Sequence, residues 1–179
     1  MSPTQVKLGS LILVLQLGAS PSHPSTPPHP IQSPRACSSP EYRQFDFWVG
    51  DWRVSTPDGK SAGANTIERT LDGCVLHESW RGADGNRGNS YNIYDAFRKK
   101  WHQTWVDDRG RLLQLDGGMR DGRMVLTGET VDSSGKRTEH RIAWERVGKD
   151  QVRQLWETSA DGGRSWTVAF DGLYRRTRP

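Results

Sequence analysis

The chain has 179 residues, of which 33% are hydrophobic and 26% charged, with 19 Gly and 8 Trp. That mix is too polar for an α/β fold with strands buried on both faces, and too aromatic for a disordered chain. No apolar run reaches the roughly 18 to 20 residues that a helix needs to span a bilayer. The net charge of +4 falls to +2 once Lys7 and Arg35, the only charged side chains of the first forty residues, are set aside. The remaining basic residues are interspersed with acids, which argues against nucleic-acid binding.

Residues 1–19 read as a signal peptide. Lys7 precedes the apolar segment Leu8–Leu17, and the small residues Gly18, Ala19 and Ser20 follow. A basic start, an apolar core and a small-residue cleavage site define such a segment. Cleavage is expected after Ala19, which gives a periplasmic or secreted product. Residues 20–40 form a linker: its many prolines remove backbone donors and favour solvated polyproline II. Cys37 and Cys74 are the only cysteines. In an exported chain an even count of two predicts one disulfide, and closing a loop of roughly 38 residues would contribute about 4 kcal/mol. Two free thiols are the alternative.

Residues 41–179 read as the folded domain. Ser39-Pro40-Glu41 supplies a capping hydroxyl, a proline at the first helical position and a first-turn acid, so a short helix is predicted to about Trp48. Beyond it, turn dipeptides recur: Asp58-Gly59, Asp72-Gly73, Asp84-Gly85, Arg109-Gly110, Asp121-Gly122, Ser134-Gly135 and Asp161-Gly162. The stretches between them are short, rich in Val, Ile, Thr, Trp and Tyr, and many alternate in polarity. That spacing predicts about ten antiparallel strands, starting near Asp51, Ala62, Val75, Ser90, Lys100, Leu112, Met124, Thr138, Val152 and Thr167. An all-β, up-and-down barrel would close the edges that so many hairpins expose.

Four strands repeat a polar residue followed two positions later by an aromatic: Glu78-x-Trp80, Asn92-x-Tyr94, Gln103-x-Trp105 and Gln154-x-Trp156. Residues two apart on a strand share a face. Ser90 extends the row on its strand and Trp101 on another. A purely structural core would favour Leu, Ile and Val, whereas rings mixed with a few polar groups line ligand pockets. The ligand-binding set is therefore Glu78, Trp80, Ser90, Asn92, Tyr94, Gln103, Trp105, Gln154 and Trp156, with Arg141 expected to pair with Glu78. Burial beside Trp80 would otherwise favour the acid form of Glu78. The alternative is a tryptophan girdle whose buried amides satisfy one another.

Catalytic and cofactor patterns are weak. The sequence holds no G-x-S-x-G elbow, no H-E-x-x-H and no P-loop. His77-Glu78-Ser79-Trp80-Arg81 begins like a zincin motif but ends in Arg. His77 and His102 alternate onto the face opposite the polar-aromatic row. His140, in phase with Ile142 and Trp144, is the one candidate for an axial haem ligand. Glu78 with Glu157 or Asp95 could form an acid–base pair, but Glu157 is out of phase with Gln154-x-Trp156. No catalytic residue, metal or cofactor is assigned.

Two motifs point further. Ser159-Ala160-Asp161-Gly162-Gly163-Arg164-Ser165-Trp166 fits S-x-D-x-G-x-x-W, a hairpin known as an Asp box, which is structural where it recurs in sugar-active propellers; a single copy builds no propeller. Gly50-Asp51-Trp52, with Arg175 and Arg176 near the carboxyl end, resembles the lipocalin signature, in which a G-x-W tryptophan stacks on an arginine of the last strand. More widely, Phe45–Trp52, Leu71–Trp80, Trp101–Asp107 and Ser165–Tyr174 resemble an exported bacterial family of unknown function with a lipocalin-like (calycin) barrel, from about Ser39 to Arg176. The resemblance implies fold and export, not an activity. Three readings follow: a carrier of a small, partly apolar ligand, an enzyme using Glu78 as acid or base, and a filled barrel acting as a structural or interaction module.

Overall fold

The computed structural model describes residues 36–177; the expected signal peptide and nearly all of the expected linker lie outside them. Ten strands follow in chain order: β1 (Gly50–Ser55), β2 (Ser61–Thr70), β3 (Val75–Gly82), β4 (Arg87–Asp95), β5 (Lys100–Asp107), β6 (Leu112–Arg120), β7 (Arg123–Val131), β8 (Arg137–Gly148), β9 (Gln151–Ser159) and β10 (Thr167–Arg176). Each pairs antiparallel with its sequence neighbours, and β10 returns to β1, closing the barrel. The turn dipeptides set this topology. At Asp121-Gly122 both residues take positive φ, 49° and 77°, the twist that a two-residue hairpin loop demands. The largest departure from the predicted strand starts is β4, which begins at Arg87 rather than Ser90, because the Asp84-Gly85 turn closes tightly and Gly82 N–H bonds Asn86 C=O at 2.8 Å.

The predicted helix is split into two 3-10 turns, Pro40–Arg43 and Asp46–Trp48. Side chains three apart eclipse in a 3-10 turn, and this suits Phe45 and Trp48, which must both face the barrel. Their rings stack at 4.9 Å and 15°. Ser39 does not cap the backbone; its hydroxyl bonds the Glu41 carboxylate at 2.6 Å. The fully buried Phe45 and Trp48 plug one end of the barrel against Trp144 and, through Phe45, Trp101.

Beside the plug, Trp52 is buried, donates from Nε1 to Trp48 C=O at 2.9 Å and lies under the Arg176 guanidinium at 4.3 Å. Arg176 also donates to Val49 C=O. The closing strand pair thus holds the arginine over the tryptophan as the G-x-W pattern predicts. Cys37 and Cys74 form a disulfide, and Arg43 binds the carbonyls of Cys37 and Gly73 beside it.

Candidate functional site

Alternation sends one row of each strand inward, and the register decides which inward groups meet. Across β3 and β4, Glu78 stands opposite Ser90 and Trp80 opposite Gly88. Across β4 and β5, Asn92 stands opposite Gln103 and Ser90 opposite Trp105. Toward the plug the interior is filled by Leu76, Leu115, Met124, Leu126 and Val152. Toward the other end it is not: a cavity of about 980 Å³ opens between the hairpins that join β3 to β4, β5 to β6 and β7 to β8. Its walls are aromatic, formed by Trp80, Trp105, Trp156 and Phe170, and its deeper lining includes Glu78, Gln103, His140, Trp144, Gln154 and Tyr174.

Two of these rings lie where a neighbouring strand has no side chain. A Cβ at Gly88 would overlap the Trp105 ring, and one at Gly63 would press on Trp80. Glycine in a strand often marks such a close approach. It keeps the indoles folded against the wall and the space between them open.

The polar groups form one connected network. Asn65 Nδ2 donates to Glu78 Oε1 at 2.7 Å, and Ser90 Oγ donates to Oε2 at 2.6 Å. Asn92 Nδ2 donates to Ser90 Oγ and to Leu76 C=O, while Gln103 Nε2 donates to Asn92 Oδ1 at 2.8 Å. Tyr174 hydroxyl donates to Gln154 Oε1 and sits within 3.5 Å of Asn65 Nδ2. No arginine or lysine joins the network among the described residues. Burial therefore outweighs the bonds from Ser90 and Asn65, and the Glu78 carboxyl is pushed up to about 7. Burial, and secondarily the nearby Glu78 charge, also hold the Tyr174 phenol well above its ordinary value.

His140 lies on the cavity wall with both ring nitrogens engaged. Trp156 Nε1 donates to Nδ1 at 3.1 Å, and Nε2 lies 2.8 Å from Thr130 Oγ1. Because the indole N–H can only donate, Nδ1 must accept, which assigns the neutral tautomer with its proton on Nε2. Burial lowers its basicity in the same sense. An axial ligand role would require breaking one of these bonds. His77 and His102 face outward, the first stacked on Tyr91 and the second bonded to Asp116 and Thr104.

Of the residues expected from sequence, Glu78, Trp80, Gln103, Trp105, Gln154 and Trp156 line the cavity. Ser90 and Asn92 are fully buried beneath it and link Glu78 to Gln103. Two expectations are corrected. Tyr94 is the inward residue of β4 nearest the plugged end, and its ring packs on Tyr42 and Trp101 instead of reaching the cavity. Arg141 faces outward between the inward His140 and Ile142, pairs with Glu157 at 2.9 Å and covers Trp166 at 4.2 Å. It is no counter-ion for Glu78, and Glu157, engaged with it on the outer face, is no acid–base partner. Asp95 is likewise held by Arg98 at the β4–β5 turn. Sequence reasoning missed Asn65, Phe170 and Tyr174. Tyr174 and Phe170 share a strand phase, but nothing in β2 singles out Asn65 until its register opposite Trp80 is known.

The Asp box folds as its motif implies. Asp161 accepts from the amides of Arg164 and Ser165 and from the Ser165 hydroxyl, which pulls its carboxyl down to about 2. It serves the β9–β10 hairpin. No family model and no curated protein sequence matches the chain.

Proposed function

We propose that this domain binds a small, partly apolar molecule inside its barrel, as an exported carrier. The observation that carries the reading is the aromatic-walled cavity of about 980 Å³ with a polar network at its floor. Ligand sites are concave, mostly apolar and oriented by a few polar groups, within a range of about 300–1,000 Å³. A filled barrel would press the amides onto backbone groups and leave no such space. Export is supported by the apolar segment Leu8–Leu17 before small residues and by the disulfide, a bond that persists in oxidising compartments. The motif resemblance to an exported calycin-like family points the same way.

Trp80, Trp105, Trp144 and Trp156 all line the cavity, so intrinsic fluorescence reports occupancy. Titration of the purified domain with octanol, fatty acids, aromatic acids and haem is expected to quench or shift the emission for at least one class. The response should weaken in a Trp105→Ala, Gln154→Leu double variant. A silent titration across every class would overturn the carrier reading and leave a structural or interaction module.

One observation favours a second reading, in which Glu78 acts as acid or base on the bound molecule: its carboxyl is poised near neutrality in an open cavity. Mass analysis of a bound compound before and after incubation separates the two readings. A carrier returns it unchanged.

A further inference from the structure

We propose that the cavity selects a protonated amine on an apolar body, with the ammonium group seated against the carboxylate of Glu78. This inference rests on the carrier reading and names the chemical class of its ligand.

The argument begins with what the floor offers and lacks. Glu78 is 5% exposed and lines the cavity, and each of its oxygens accepts one protein hydrogen bond, from Asn65 and from Ser90. An ionised carboxylate has about four acceptor sites, so two remain for a donor from the ligand. Gln103 spends its Nε2 on Asn92, which leaves its carbonyl oxygen as its remaining offer. Asn65 is 2% exposed, and its Oδ1 has no partner among the described residues. Glu78 and Gln103, both of the cavity lining, thus present acceptors in want of donors, and the unpartnered Asn65 oxygen lies buried behind them. An ammonium group, with three donors and no acceptor, complements such a set.

Charge points the same way. Among the cavity-lining residues the only arginine or lysine is Arg111, at the mouth, and it is already paired with Asp107 at 2.7 Å. Asp84 and Asp132 sit at the same mouth; Asp84 is paired with Arg109, while Asp132 is held by turn amides. A carboxylate ligand would enter past these acids and meet Glu78 with no cation to receive it. The ring faces of Trp80, Trp105, Trp156 and Phe170 suit both an alkyl or aryl body and a positive charge. The leftover donors, among them Trp144 Nε1–H, Trp105 Nε1–H and Gln154 Nε2, are neutral; they suit an oxygen on the ligand body and impose no charge.

Seating the cation requires the ionised form of Glu78, so binding to the protonated site releases one proton to solvent. Of the other titratable groups of the interior, burial holds Tyr174 on β10 above its usual value and His140 on β8 below its own. At the mouth, Asp84 is held below the usual carboxylate range by Arg109, and Asp132 by Ser134 and turn amides.

The test is calorimetric titration of the full domain with three probes of one chain length: octylamine, octanol and octanoate. At pH 8 octylamine is expected to bind at least tenfold more tightly than octanoate, as a charge-assisted contact implies. Octylamine affinity should rise about tenfold from pH 6 to pH 8, following ionisation of a group near 7, while octanol affinity stays level. Glu78→Gln should abolish both the amine preference and its pH dependence. The wild-type pH profile decides the matter should that variant fail to fold. Equal or tighter binding of octanoate, or an unchanged octylamine affinity in Glu78→Gln, overturns the amine inference and leaves the carrier reading standing. If none of the three probes binds, the amine inference falls, and the wider fluorescence titration alone decides the carrier reading.

Discussion

A carboxyl group buried without a cation gives a fold a pH dependence of its own, and Glu78 is such a group. Its folded value of about 7 lies above the value of an unfolded chain, near 4.5. Between these limits the folded state holds a proton that the unfolded state releases, so stability falls as pH rises from about 4.5 to 7. The full loss is on the order of 3 kcal/mol. His140 works in the opposite sense, because a buried neutral histidine favours folding as pH rises through its ordinary range. The difference between wild type and Glu78→Gln cancels His140 and isolates the carboxyl. Urea midpoints measured from pH 5 to 8 should decline more steeply in the wild type than in the variant; parallel curves would contradict the buried charge. Trp52 offers a second single-residue test. Its ring is sealed between Trp48 C=O, Tyr174 and Arg176, and Trp52→Ala is expected to cost about 3–5 kcal/mol. An unshifted urea midpoint would show that the Trp52–Arg176 pair does not hold the barrel closed.

The elements were legible in the sequence where the signal was local. Asp-Gly turns and alternation set ten strands because a hairpin loop and a shared strand face are short-range properties. The split of the first helix was not legible, since it depends on where Phe45 and Trp48 must reach within a barrel not yet built. Arg141 shows another limit: its strand phase, between His140 and Ile142, places it outside, and phase outweighs its charge complementarity to Glu78. Asn65 and the slots at Gly63 and Gly88 become visible only once strand register is known, because register is a property of pairs. The disulfide is the element-scale device that ties the start of the described chain to the β2–β3 connection. Its cysteines lie 37 positions apart, and opening it should lower stability by up to about 4 kcal/mol through loop entropy. Urea unfolding with and without reductant measures this directly; coincident curves would show that the first 3-10 turns hold without the bond.

As a whole molecule the barrel has unlike ends, one sealed by Phe45 and Trp48 and the other open among the hairpins. This asymmetry separates stability from occupancy. Ala62 lines the cavity, so Ala62→Phe adds bulk to empty space. Its cost is expected to stay under about 1 kcal/mol, against the 1–3 kcal/mol of overpacking a filled core, while octanol binding is lost. Thermal melts and calorimetry on one preparation read both quantities. A large loss of stability would mean that Ala62 faces packed side chains.

β10 runs from the mouth at Thr167 to the sealed end, where Thr177 N–H bonds Asp51 C=O at 2.9 Å. The described chain therefore ends, after β10, at the pole opposite the opening. A protein immobilised through that end presents its mouth to the solution and its plug to the support. Capture of a small molecule on a sensor chip then proceeds unobstructed, whereas attachment through a lysine placed in the Asp84-Gly85 or Ser134-Gly135 turn would aim the opening at the surface. Comparing signal amplitude between the two attachments gives a direct reading of which pole admits the ligand.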